Sequence, residues 1–154
     1  MKRLALLAAA LLAVSLLAPS TAGALIQIDR GIAGARLGNT KAEVRAALGQ
    51  PRRVMTGTNI FGRFTIFRYA GGIRVTFQSG NRVTAAATMG VGDRTARGVG
   101  VGSTRRAVRR RVPRVRCPID SLCQTGRGDP GDRITAFFLR NGRVFRVSVG
   151  IVID

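Results

Sequence analysis

Apolar and polar residues alternate along two stretches of the chain with the period of a half-buried strand. Ile73, Val75 and Phe77 alternate with Arg74, Thr76 and Gln78, and Gly80-Asn81 turns the chain into Val83, Ala85, Ala87 and Met89. Residues 61–69 form a further strand candidate, joined to the first by Ala70-Gly71-Gly72. Residues 134–139 read as another strand. Asn141-Gly142 is a strong hairpin signal, and Phe145, Val147, Val149 and Ile151 supply the return. A short helix is expected ahead of each set. In the first, Val44, Ala47 and Leu48 recur at helical spacing, Thr40 with Glu43 forms a capping box, and Gly49 and Pro51 end the helix. In the second, Thr104 supplies half of such a box, Val101, Val108 and Val112 face inward, and Pro113 stops the helix. Residues 124–133 read as a mobile loop and residues 90–100 as a Gly-rich joint.

The order of these parts repeats. Leu37-Gly38-Asn39-Thr40-Lys41-Ala42-Glu43-Val44-Arg45 is answered by Val101-Gly102-Ser103-Thr104-Arg105-Arg106-Ala107-Val108-Arg109, and residues 77–83 by residues 138–144. Two tandem copies of one unit account for this most simply. The expected fold is therefore α+β, built from two tandem repeats. Each is a short helix followed by a two- or three-stranded antiparallel sheet, with the helices packed on one sheet face. The expected divisions are residues 1–24, residues 25–92 for the first repeat, and residues 93–154 for the second, which contains a disulfide loop.

Residues 1–24 read as a secretory signal peptide. Lys2-Arg3 precede an apolar run from Leu4 to Leu17, and Ala22-Gly23-Ala24 offers a small-residue cleavage site. The run is shorter than a bilayer span requires, so no transmembrane segment is expected after cleavage. The expected location is extracellular or associated with the cell envelope.

Charge and composition then narrow the chemistry. The 154 residues hold 26 Lys plus Arg against 7 Asp plus Glu, a formal charge of +19, with no His and two Cys. A chain without His has no Ser-His-Asp or Cys-His relay and no His-liganded zinc. Glu43 is its only Glu, so a paired-Glu hydrolase is excluded. No catalytic residue, cofactor or metal ligand is assigned. So large a positive charge attracts polyanions. Export removes intracellular nucleic acid from the candidates and leaves anionic wall polymers, lipid headgroups or an acidic partner protein. Arg105, Arg106, Arg109, Arg110, Arg111, Arg114 and Arg116 crowd twelve positions and are the candidate polyanion- or partner-binding residues, the alternative being a solvated helix face.

Cys117 and Cys123 are spaced C-x5-C, which favours a structural disulfide in an oxidising compartment over a C-x-x-C redox dithiol. Three weaker signals each have a plainer alternative. Gly98-Val99-Gly100-Val101-Gly102 is either a phosphate cradle or a flexible joint ending in a helix cap. Asp129 and Asp132 form a poor calcium cage among arginines. Arg127-Gly128-Asp129 spells an adhesion tripeptide within an Arg- and Gly-rich loop.

The string from Leu37 to Pro51, followed by strands, resembles the SmpA/OmlA family of small outer-membrane assembly proteins. Two such units in one exported chain resemble the β-lactamase inhibitory protein superfamily. The resemblance spans residues 31–89 and 98–151. It implies a helix layer on an antiparallel sheet whose surface and loops bind a protein partner, without catalysis. The chain lacks the lipidated Cys of the outer-membrane members and the aromatic- and acid-rich sheet of the inhibitors, so no inhibitory residue is carried over. The expected function is a secreted, non-enzymatic protein-binding or envelope-associated module, inhibitor-like or scaffold-like. The alternative is a structural envelope protein that binds anionic wall polymers through its arginines. An enzyme would have to rest on Asp, Arg, Tyr69 or Ser/Thr alone.

Overall fold

The computed structural model describes residues 25–153, so the expected signal peptide lies outside the described residues. The chain begins with three short strands, β1 (Leu25–Gln27), β2 (Gly31–Ile32) and β3 (Ala35–Arg36), followed by helix α1 (Lys41–Leu48). Four strands follow: β4 (Arg53–Asn59), β5 (Gly62–Arg68), β6 (Arg74–Gln78) and β7 (Ala85–Thr88). After β8 (Arg94–Thr95) comes helix α2 (Arg105–Arg111). The last four strands are β9 (Arg116–Ile119), β10 (Leu122–Gln124), β11 (Arg133–Arg140) and β12 (Arg143–Ile151).

Eight of these strands form one antiparallel sheet in the order β4-β5-β6-β7-β12-β11-β10-β9. The junction at its middle pairs Thr88 with Val147 and Ala86 with Val149. A second sheet, in the order β3-β2-β1-β8, closes by a parallel pairing of Ile26 with Thr95. The molecule is therefore mostly β, which corrects the expected α+β fold of two helix-plus-sheet repeats, each with its own two- or three-stranded sheet. The physical reason is strand pairing. Without the β7–β12 ladder, both strands would leave a row of backbone donors and acceptors unpaired. Joining them satisfies both rows and makes residues 25–92 and 93–154 share a sheet.

One core serves the molecule. Phe67, Val75, Phe77 and Ala86 project from the first half of the large sheet, and Phe137, Val147 and Val149 from the second half, all onto one face. Val44 of α1, Val108 of α2, and Ile26, Ile32 and Ala35 of the small sheet join the same cluster. Phe67 and Phe77 meet edge to face at 4.8 Å between ring centres, a favoured geometry for buried rings. The joint expected at residues 90–100 is a packed segment: Val99 is in the core, and its amide donates to the Thr95 hydroxyl. Gly100 is needed there because a Cβ would lie 1.9 Å from the Asp93 carbonyl oxygen.

Both helix starts follow the sequence reading. Thr40 caps α1, its hydroxyl accepting from the Glu43 amide at 3.2 Å while Glu43 Oε2 accepts from the Thr40 amide at 2.7 Å. Glu43 Oε2 also accepts from the Thr40 hydroxyl at 2.9 Å, and the two bonds to the carboxylate, first the one from the Thr40 backbone, hold the Glu43 carboxyl below its ordinary pKa. Thr104 caps α2 with a single bond from the Ala107 amide at 3.2 Å.

Candidate functional site

The seven arginines singled out in the sequence do not form one patch. Arg105, Arg106, Arg109 and Arg110 line a shallow groove along α2. Arg105 is already committed. It forms an ion pair with Asp120 at 2.6 Å and donates to the Cys117 carbonyl at 3.2 Å, which fastens the β9–β10 hairpin to the helix. Arg116 is also structural, donating to the Gly126 carbonyl at 2.8 Å. Among the described residues, Arg106, Arg109 and Arg110 have no carboxylate within ion-pair distance.

Arg111 and Arg114 lie elsewhere. Beyond the end of α2, Pro113 blocks a further turn, and Arg114 takes a left-handed backbone conformation (φ 53°) that swings the chain into β9. The two side chains flank an open cleft of about 660 Å³ between the β1–β2 connection, the β8 loop and the end of α2. Arg30, Arg97 and Arg133 reach the same cleft from three other segments. Apolar groups share its walls: Leu25, Ile28, Val112 and Pro113. A second cavity of about 510 Å³ adjoins it through Asp29, Arg114 and Arg133, and adds Arg127. Arg30, Arg97, Arg127 and Arg133 escaped the sequence reading because they are isolated along the chain and only the fold gathers them.

Asp29 is the acidic residue common to both cavities. Its Oδ1 accepts from the Thr125 hydroxyl and, at 2.9 Å, from the Thr135 hydroxyl, while its amide donates to Thr135 Oγ1 at 2.7 Å. Thr135 is fully buried, so this carboxylate ties the N-terminal strands to β11. It is a structural group that also tempers the positive charge of the cleft.

The remaining candidates resolve plainly. Cys117 and Cys123 form a disulfide that closes the β9–β10 hairpin, and Cys123 is in the core. The amides of Gly98, Val99, Gly100 and Gly102 all donate within the protein, which leaves the glycine-rich segment without a phosphate cradle. Asp132 Oδ2 accepts from the amides of Arg127, Gly128 and Asp129, organising the loop that the sequence suggested was mobile. Among the described residues no cluster of three or more His, Cys, Asp or Glu is placed to hold a metal ion. Tyr69 packs edge-on against Phe67, and burial pushes its phenol pKa up. No described helix is long and apolar enough to cross a membrane.

The face of the large sheet opposite the helices carries a different surface. Met55, Ile66, Thr76, Ala85, Gly150 and Ile134 lie in one cross-strand row, all half-buried. In the next row lie Arg53, Arg68 and Arg74. Arg146 stacks on Phe138 with 4.0 Å between the guanidinium carbon and the ring centre, and Arg140 on Phe145 at 4.8 Å. None of the eight strands contains an acidic residue.

No protein-family model and no curated protein matches the chain. Two solved structures are similar to it. One is an extracellular protein containing an SCP domain from Bacillus anthracis, with a TM-score of 0.55 and 11% identity over 75% of this chain and 44% of that one. The chain thus spans less than half the length of that neighbour, and the likeness concerns the fold alone. The other is a DUF4309 family protein from Bacillus subtilis, with a TM-score of 0.45 and 21% identity over 77% of this chain and 82% of that one. Neither bears on the resemblance to the outer-membrane assembly and inhibitory proteins.

Proposed function

We propose that this protein is an exported, non-enzymatic binding module that takes an acidic protein partner into its arginine-lined cleft. The observation that carries the reading is the convergence of Arg30, Arg97, Arg111, Arg114 and Arg133, from four separate segments, on one open cavity. Convergent guanidinium groups suit carboxylates, which they bind bidentately. The apolar wall favours a protein over a wall polymer. Leu25, Ile28 and Pro113 offer contact to apolar side chains, which a hydrated polyol-phosphate chain lacks. The disulfide and the extracellular protein among the structural neighbours support export. The local resemblance to the SmpA/OmlA and β-lactamase inhibitory proteins supports action by surface contact.

Two polyanions test the reading, an acidic polypeptide (polyglutamate with interspersed leucines) and poly(glycerol phosphate). The polypeptide should bind more tightly, keep part of its affinity at high salt, and lose about tenfold or more in R111Q/R114Q, consistent with two charge-assisted contacts. Tighter binding of poly(glycerol phosphate), abolished by salt, would transfer the function to an anionic envelope polymer. Equal binding by wild type and R111Q/R114Q would remove the cleft from it.

A further inference from the structure

The two edges of the large sheet are finished differently. The β9 edge is four residues long, contains Pro118 and is closed against β10 by the disulfide. Proline and short length are the usual ways of blunting a strand edge. The β4 edge has neither. Its seven residues, Arg53–Asn59, run in unbroken register with β5 and pair with no other strand among the described residues. Every second residue of β4 therefore turns its N–H and C=O away from the sheet. Pro51 precedes the strand without entering it.

Side chains flank this edge on both faces. On the helix side lies an open cavity of about 730 Å³ beside Thr56 and Thr58, with Lys41 and Arg63 as its charged lining. On the other face Phe64 covers Gly57, where a Cβ would lie 2.5 Å from the ring, and Met55 lies beside it. At the hairpin tip Ile60 is 92% exposed, and Val54 near the strand start is 49% exposed.

We propose that β4 is an acceptor edge to which an extended, acidic segment of a partner protein adds as a ninth strand. Main-chain hydrogen bonds to β4 supply affinity, and alternate side chains supply selectivity. On one side of the added strand, acidic residues reach Lys41 and Arg63. On the other, apolar residues lie on Met55 and Phe64. Charge selects the occupant. The strands β4 to β7 contain no carboxylate, so a second copy of this chain would bring like charge to the edge, which opposes pairing. This edge shares no residue with the arginine cleft, and the proposal stands apart from the function proposed there.

The test uses the full chain and a seven-residue peptide alternating Glu and Val, with affinity read by fluorescence anisotropy and hydrogen exchange followed along β4. The peptide should bind and newly protect amides within residues 53–59. N-methylation of its alternate amides should cost about tenfold, the expected loss for two main-chain hydrogen bonds of ordinary strength. K41Q/R63Q should weaken binding and flatten its salt dependence, whereas a Lys-Val peptide should not bind. In R111Q/R114Q, where the cleft is disabled, the penalty for N-methylation should persist. If N-methylation has no effect, or if R111Q/R114Q alone abolishes binding, the edge is not the acceptor. A concentration-dependent dimer that T56P dissolves would make a second copy the occupant and overturn the acidic one.

Discussion

At the scale of single residues, Thr40 and Glu43 hold the first turn of α1 by reciprocal hydrogen bonds. The Thr40–Glu43 box was legible because four consecutive positions contain all of its parts. Replacing Thr40 by Ala should cost about 1 kcal/mol, the usual value of such a cap, measured by urea denaturation. Glu43 adds a pH dependence whose sign is fixed. Its folded pKa is lowered, so its contribution is present above the ordinary carboxylate range and lost as pH falls toward the lower folded value. The melting temperatures of wild type and E43Q should therefore differ at neutral pH and converge below about pH 4. Gly100 makes the opposite point. It sits in a stretch that reads as a loose joint, and the closeness of the Asp93 carbonyl is visible only in the fold. G100A should be strongly destabilising, seen as a large drop in the thermal midpoint; a wild-type midpoint would contradict the close packing.

At the scale of elements, the patterned strands were legible and the unpatterned ones were not. β6 alternates cleanly because one of its faces is buried, β11 shows as a short apolar run because both of its faces are covered at its middle, and Asn141 and Gly142 take the positive φ angles that the hairpin turn requires. β4 gave no signal. At an edge only Met55 and Gly57 are half-buried and its other residues are exposed, so burial imposes too faint a period to show in the residue types. β9 and β10 hid behind the cysteines, where a hairpin looks like a loop. The same hairpin gives a measurable expectation. Its disulfide closes a loop with a sequence separation of 6, and on the chain-entropy model such a loop is worth about 2 kcal/mol. Reduction should lower unfolding stability by that order, read by denaturation with and without reductant. F137A removes a fully buried ring that the second half of the sheet contributes to the shared core. It should cost about 3–5 kcal/mol in the same assay.

At the scale of the whole molecule, the local patterns on either side of residue 92 could be read, but not the way they join. The β7–β12 ladder depends on backbone groups that every sequence possesses, so no residue announces it. The candidate site was half legible for a related reason. Arg111 and Arg114 stand in a visible cluster, whereas Arg30, Arg97 and Arg133 become neighbours only after folding. One core shared across the ladder predicts one cooperative unfolding transition. Calorimetric and van't Hoff enthalpies should agree; two separated transitions would show that the halves melt apart.

The unequal finish of the sheet's two ends also limits what the molecule can build. A ladder that grows by edge pairing needs a free rim on each new member, and here the disulfide hairpin blunts one rim. Through this sheet such a chain can terminate someone else's stack of strands, but its blunted rim offers no foothold for the next arrival.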